Sequence, residues 1–328
     1  MQCAALIKEI GRGKDGARSL SHEQARDLWA AILAGEVSDL ELGAILLAMR
    51  VKGETTNELA GFLDATHAAM SHLPDPAAAY APVVIPSYNG ARHLPNLVPL
   101  LALMLAERGV PVLVHGVVSD PMGDLRGRGV RVTTADVLHA MGIDFIRHGN
   151  DLPGAVRSAA TRRLPVFAPI QVLHPRLAYV LGLRRVLGVR NSAHTLAKLL
   201  QPFAGSALRL GSFTHPEYEV LLRNYFLSYG GSALISRGSE GEVVANARRS
   251  LRIEAFNERV ARIVVEGQDV APANAAVLPV SRDAAVTAVW TQSVLAGEHP
   301  VPQPIAEQFA VIMEALQNTG RSAQAVAA

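Results

Sequence analysis

Between Leu152 and Pro216 the chain carries nine positive charges and not one carboxylate. They are Arg157, Arg162, Arg163, Arg176, Arg184, Arg185, Arg190, Lys198 and Arg209, with His174 and His194 among them. The whole 328-residue chain sums to +2, so everything outside this zone sums to −7. Cations segregated to that degree neutralise an anionic partner. Guanidinium forks match phosphate oxygens in particular. Only four of the 31 basic residues are lysines (8, 14, 52 and 198), a bias that a GC-rich genome also produces. Each arginine taken singly is equally well read as a charge on a solvated helix face or at a helix C-terminus. The acid-free neighbourhood favours phosphate.

Other reactive types are sparse. The single cysteine, Cys3, excludes an intrachain disulfide. No cysteine cluster or closely spaced histidine pair suggests zinc, and no metal or cofactor is expected. His115, His174 and His194 read as structural histidines. Glu240 and Glu242 read as residues of a mobile loop without a chemical role. Arg248, Arg249 and Arg252 read as ordinary charged surface because acidic residues adjoin them.

Elements must position these groups. Ser21 with Gln24 forms a capping-box pattern ahead of His22 to Leu33, and Gly35 stops the helix. Ser38 or Asp39 opens a second helix, with Leu40, Ile45, Leu46 and Met49 on one face. Thr55 or Thr56 opens a third. From Ala79 the texture changes to buried strands alternating with helices. APVVIP, VPVLVHG and DFIRHG read as strands, Leu94 to Arg108 and Thr134 to Met141 as helices. Ala207 to Gly211 and Ser232 to Arg237 are further strands, joined by a helix over Glu217 to Tyr229. The tail QNTGRSAQAVAA lacks a core-forming pattern and is expected to fray. With 49% hydrophobic residues the chain can bury a large core in two units. The longest apolar run, Leu97 to Ala106, contains Pro99 and is shorter than the ~20 residues a bilayer requires. A cytoplasmic protein with no membrane contact is expected.

Several stretches together resemble anthranilate phosphoribosyltransferase over roughly Leu20 to Val244. They are GEVSDLELGAILLAMRVKGETTNELAGFLDA, the HG at His115 and Gly116, TADVLHAMGI, FAP followed by His174 and Pro175, and RRVLGVR. The resemblance implies the class III nucleoside phosphorylase/phosphoribosyltransferase α/β fold. A small helical domain (1–75 plus about 175–200) would sit beside a large, mainly parallel α/β domain (79–174 and 201–328). Against that family's motifs the chain departs sharply. GTGGD, which cradles a diphosphate, is replaced by Pro86, Ser87, Tyr88, Asn89 and Gly90. KHGNR becomes Val114, His115, Gly116, Val117 and Val118, and the magnesium-holding Asp-Glu pair becomes Glu240-Gly241-Glu242. Arg184 stands where the enzymes contact the anthranilate carboxylate.

The departures resemble a second, non-enzymatic branch whose DNA-binding members are implied to be homodimers. The expectation is therefore sequence-tolerant binding of nucleic acid, DNA or RNA. A groove formed by Arg157, Arg162, Arg163, Arg184, Arg185, Arg190, Lys198 and Arg209 would contact its phosphates. Two other readings stay open: a transferase acting on a different phosphorylated substrate, and a structural dimer whose basic zone binds an acidic protein.

Overall fold

A computed structural model describes residues 3–13, 15–120, 123, 129–268 and 277–318. Four helices come first: α1 (Cys3–Ile10), α2 (His22–Ala34), α3 (Asp39–Lys52) and α4 (Thr56–Ala68). Each of the last three starts on a capping box, with Ser21, Ser38 and Thr55 as caps and Gln24, Glu41 and Glu58 reaching back. The reciprocal pairing satisfies helix-end N–H groups that would otherwise lack a partner. Glu58 does more than cap. Fully buried, it accepts from Leu20 N at 2.8 Å, Thr55 N at 2.8 Å and Lys52 Nζ at 2.6 Å. The expected face of α3 holds for Ile45, Leu46 and Met49, but Leu40 is 86% exposed. It sits in the first turn, on the side turned away from the rest of the layer.

Helices α2 and α4 cross closely. Trp29 packs at a tilt against Phe62 with ring centroids 4.9 Å apart, and its indole N–H donates to Thr66 Oγ1 at 2.9 Å. Gly61 allows the approach, because a Cβ there would lie 2.3 Å from His22 O. Alanine is the better helix former, yet the overlap with rigid backbone should win. Gly61→Ala is expected to destabilise the fold by about 1–3 kcal/mol. Urea unfolding checks this, and an unchanged midpoint would contradict the close crossing.

Among the described residues the sheet has seven strands in the order β3-β2-β1-β4-β5-β6-β7. These are β1 (Val83–Ser87), β2 (Val112–Gly116), β3 (Val166–Pro169), β4 (Leu208–Phe213), β5 (Ala233–Arg237), β6 (Ile253–Asn257) and β7 (Val260–Val265). The first five run parallel, and β6 and β7 add an antiparallel hairpin at one edge. Strand alternation feeds two cores. Val84, Leu113 and Ala168 face the layer containing α1 to α4, α7 (Leu152–Arg162), α9 (Pro175–Gly182) and α12 (Pro216–Tyr229). Val83, Ile85 and Val114 face α5 (Val98–Glu107), α6 (Thr134–Ala140), α13 (Ala284–Leu295) and α14 (Gln303–Asn318).

One expected strand is elsewhere. DFIRHG is irregular and reaches β3 through the bond from Ile146 N to Phe167 O at 2.9 Å. The place beside β2 belongs to Val166–Pro169, whose four residues are all buried, whereas Arg147, His148 and Gly149 are exposed. The basic segment after β3 is also more broken than a helix pair. It forms α8 (Ile170–Leu173), α9, α10 (Arg184–Leu187), α11 (Ala193–Leu196) and a 3-10 turn (Ala197–Leu199). At the C-terminus α14 continues through Asn318, so Gln317 and Asn318, the first two residues of the tail expected to fray, are helical. Residues 319–328 lie outside the described residues.

Candidate phosphate-binding cleft

Strand order reverses between β1 and β4. The two strands pair only at Val83↔Leu208 and Val84↔Arg209, then separate toward their C-terminal ends. Parallel sheets open a crevice at such a switch point. Here it is a cavity of about 190 Å³. Tyr88 and Asn89 enter it from the turn after β1, Ser212 and Thr214 from the end of β4 and the residue after it, Met49, Arg50 and Glu54 from α3 and the following turn, and Arg190, His194 and Lys198 from the broken helical segment.

Its charges are crowded. Burial, reinforced by Arg184, Arg131 and Arg50, lowers the Arg190 pKa to about 10. Burial also takes Lys198 down to about 8, with Glu242 opposing and Arg190 adding to the shift. His194 falls to about 3, through burial first and then the neighbouring Arg190 and Arg184. The carboxylate lining the cavity, Glu54, is pushed up by burial and accepts from Ser192 Oγ at 2.5 Å. Toward a ligand, the cleft therefore presents cations.

A knot of hydrogen bonds orients them. Arg190 Nη2 donates to Asn89 Oδ1 at 2.5 Å, and Lys198 Nζ donates to Gly241 O at 2.9 Å. Asn89 Nδ2 and Ser212 Oγ reach the same Gly241 carbonyl at 2.7 and 3.1 Å. Glu242 Oε1 accepts from Asn89 N at 2.8 Å and Gly90 N at 2.7 Å. Glu240 accepts from Arg92 N, His93 N and Leu94 N at 2.8, 3.0 and 3.2 Å. Both glutamates are thus anchored in the β1–α5 turn, which overturns their reading as residues of an unengaged loop. His115 is structural as expected, though its partner is the Tyr88 hydroxyl at 2.7 Å rather than backbone. Burial depresses its pKa to about 3. His174 caps α9, accepting from Leu177 N at 3.3 Å.

The nine cations do not form one track. Arg190 and Lys198 reach the cleft, while on α10 Arg184 is half-buried beside them and Arg185 is exposed. Arg157, Arg162 and Arg163 are exposed on or just after α7. That helix ends three residues before β3 begins, so Arg162 and Arg163 lie at the opposite, N-terminal edge of the sheet. Arg209 is a correction. Only 7% exposed, it lies over the Phe226 ring at 4.9 Å and donates to Leu199 O at 3.3 Å, out of reach of a phosphate chain. Arg176 is likewise engaged, donating to Leu33 O at 2.8 Å and Ile32 O at 3.0 Å at the end of α2. Conversely, Arg50, Arg92 and Arg131 lie outside the acid-free stretch and were not singled out in the sequence.

Comparison with known proteins agrees with this architecture. YbiB of Escherichia coli (strain K12), an uncharacterized protein, is 44% identical over 324 residues, 98% of this chain and 96% of that one. The chain belongs to the anthranilate phosphoribosyltransferase-like family. Its YbiB-like sequence is also 32% identical over 200 residues to the anthranilate phosphoribosyltransferase of Methanopyrus kandleri, covering 60% of this chain and 53% of the enzyme. Residues 4–70 match the helical bundle domain of a glycosyl transferase family. Among solved structures, anthranilate phosphoribosyltransferase from Thermus thermophilus superposes with a TM-score of 0.70 at 24% identity, covering 96% of this chain and 88% of that one. The Saccharomyces cerevisiae enzyme in complex with PRPP (phosphoribosyl pyrophosphate) and Mg gives 0.69 at 14% identity, covering 96% and 89%. The YbiB-like chain thus shares the enzymes' fold, with the helical bundle set against a mixed sheet.

Proposed function

We propose that this YbiB-like protein is a non-enzymatic cytoplasmic protein that binds nucleic acid without reading its sequence. Its phosphate-contacting surface is the cleft mouth with its rim, formed by Arg50, Arg184, Arg185, Arg190 and Lys198. The observation that carries this reading is the crowding of cations at the switch-point cleft, where Arg184, Arg131 and Arg50 all press on Arg190. Such a concentration gains by exchanging small counterions for a polyanion. Phosphate contacts position a nucleic acid without discriminating bases. Base stacking contributes little, because the aromatics lining the cleft, Tyr88, Phe213 and Tyr218, are buried or half-buried. A mobility shift on unrelated DNA sequences, weakening steeply with salt, is the expected result, and sequence-selective binding would refute it.

Catalytic silence toward PRPP follows from the residues at the enzymes' phosphate positions. Pro86 has no N–H, and Tyr88 fills the turn with a ring bonded to His115. Val114, Val117 and Val118 supply no charge. Titration calorimetry with PRPP plus magnesium should show no tight binding, and a micromolar constant would overturn the claim. A transferase reading with another phosphorylated substrate rests on the 190 Å³ cavity and its polar Ser212, Thr214 and Tyr218. Turnover on such a substrate would favour it.

A homodimer built through the helical layer completes the proposal. Ile10 and Leu28 are buried within the chain, and Leu6 is half-buried. The apolar surface is instead on α3, where Leu40, Leu47 and Val51 are exposed at 86, 43 and 64%. Light scattering should give twice the 34.9 kDa chain mass, and a monomer at micromolar concentration would count against it.

A further inference from the structure

The cleft has a neighbour. Phe213 and Thr214 line it on one side and a second cavity, of about 310 Å³, on the other. The second cavity lies between α12 and the ends of β4, β5 and β6, on the face of the sheet that packs against the helical layer. It is larger than the cleft and enters the range of about 300–1,000 Å³ usual for small-molecule sites. Phe213, Ile235, Leu251 and Phe256 give it an apolar lining, with Ile235 and Phe256 buried and the other two half-buried.

Strand register places a charge in this lining. On β5 the side chains of Ala233, Ile235 and Arg237 alternate onto one face, and Ile235 pairs with Glu254 of β6. Ala233 and Ile235 are buried against the helical layer, so Arg237 stands at a layer-facing position at the end of the strand and lines the cavity. The carboxylates there are already taken. Glu254, 7% exposed, accepts from Arg223 Nε at 3.0 Å through Oε1, and its Oε2 lies 3.5 Å from Arg252 Nη2. Arg252 Nη1 also lies 3.9 Å from Glu219 Oε1. Among the described residues no ion pair or hydrogen bond engages the Arg237 side chain. Three guanidinium groups, of Arg223, Arg237 and Arg252, thus face two carboxylates, and the uncompensated one is Arg237.

That balance selects the ligand. One negative charge neutralises the lining, whereas a dianion would meet Glu219 and Glu254 with charge to spare. A guanidinium fork matches a planar carboxylate through two parallel hydrogen bonds. The apolar walls reward an alkyl body, and the volume stands at the small end of the range, which excludes a long acyl chain. We propose that this cavity binds a short aliphatic monocarboxylate, its head paired with Arg237 and its chain packed on Phe213, Ile235, Leu251 and Phe256. The site uses none of the cleft's cations, and a failure here leaves the mobility-shift result untouched.

The test is a methyl NMR titration of the full-length protein with hexanoate, following the Ile235 Cδ1 methyl in the cavity and the Met49 methyl in the cleft. Hexanoate should shift the first and leave the second in place. Hexanol, which lacks the charge, and acetate, which lacks the chain, should bind more weakly by about tenfold or more. Arg237→Met alters an exposed residue and should weaken hexanoate by about tenfold or more, the loss of a charge-assisted contact, while Arg157→Met, on the exposed side of α7, leaves the affinity unchanged. An Ile235 methyl that hexanoate does not move would overturn the proposal, as would a shift at Met49 in its place or an Arg237→Met protein that binds as well as wild type. Equal losses in the two variants would overturn it too, because net charge would then be attracting the anion. Tighter binding of hexyl phosphate than of hexanoate would rule out a monocarboxylate site.

Discussion

Replacing Arg184 and Arg185 together by alanine is expected to weaken binding to oligonucleotides of unrelated sequence to nearly the same extent for each. The slope of log K against log salt should fall by about 1.4 to 1.8, the loss of two phosphate contacts at 0.7 to 0.9 apiece. The pair belongs to α10 at the cleft rim, with Arg184 pressing electrostatically on Arg190 and His194 and Arg185 in solvent. Two controls carry the same charge change. Arg162→Ala with Arg163→Ala removes the exposed cations at the far edge of the sheet, and Arg248→Ala with Arg249→Ala removes a second exposed pair. Substitutions of exposed residues alter stability by only about 0.5 kcal/mol, so the two control proteins should melt with the wild type, and binding by the half-buried Arg184 variant is compared at a temperature where all three are folded. A defined cleft requires the first pair to cost substantially more than either control. Equal losses would assign binding to net charge, and losses confined to particular sequences would mean that bases are read.

What was legible beforehand follows from the range of the interactions. The helix starts could be read because a capping box is written in four consecutive residues, as Ser21 and Gln24 show. Strands β1 and β2 could be read because continuous apolar runs fill both faces. DFIRHG and VFAP were harder to separate. Both are short and partly apolar, and only packing shows that the second buries every residue. The charge zone was visible, but not which face of the sheet each residue serves. Arg209 and Lys198 look alike in a charge count, yet one lies over the Phe226 ring and the other in the cleft. The role of Glu240 and Glu242 depended on a contact spanning about 150 residues. An acidic pair around a glycine carries no local mark of its acceptor role, and the turn it closes looked merely degraded.

Acid is expected to unfold this protein from a range in which most domains remain stable, because several of its histidines are buried uncharged. Burial lowers His67 to about 4 and both His115 and His194 to about 3, and it lowers His174 as well. In the unfolded chain each takes up a proton near its ordinary value of about 6.5. Below that pH the unfolded state holds more protons than the folded one, so folding stability falls as pH falls. Each fully neutral histidine contributes a slope of up to about 1.4 kcal/mol per pH unit, and His67, His115 and His194 together roughly 4. Glu54 opposes them. Its raised pKa lets the folded state take up a proton first, which offsets part of the loss. Domain stabilities are only about 5–15 kcal/mol, so a cooperative transition should appear by roughly pH 4.5 to 5. Urea unfolding at pH 7.5, 6 and 5 measures the slope. His194→Asn should make it shallower by about 1.4 kcal/mol per unit, whatever the substitution does to stability at pH 7.5. Stability that stays level from pH 7.5 to 5 would mean that these histidines gain protons within the folded state. The cations around His194, Arg190 and Arg184 among them, would then have to move away from it.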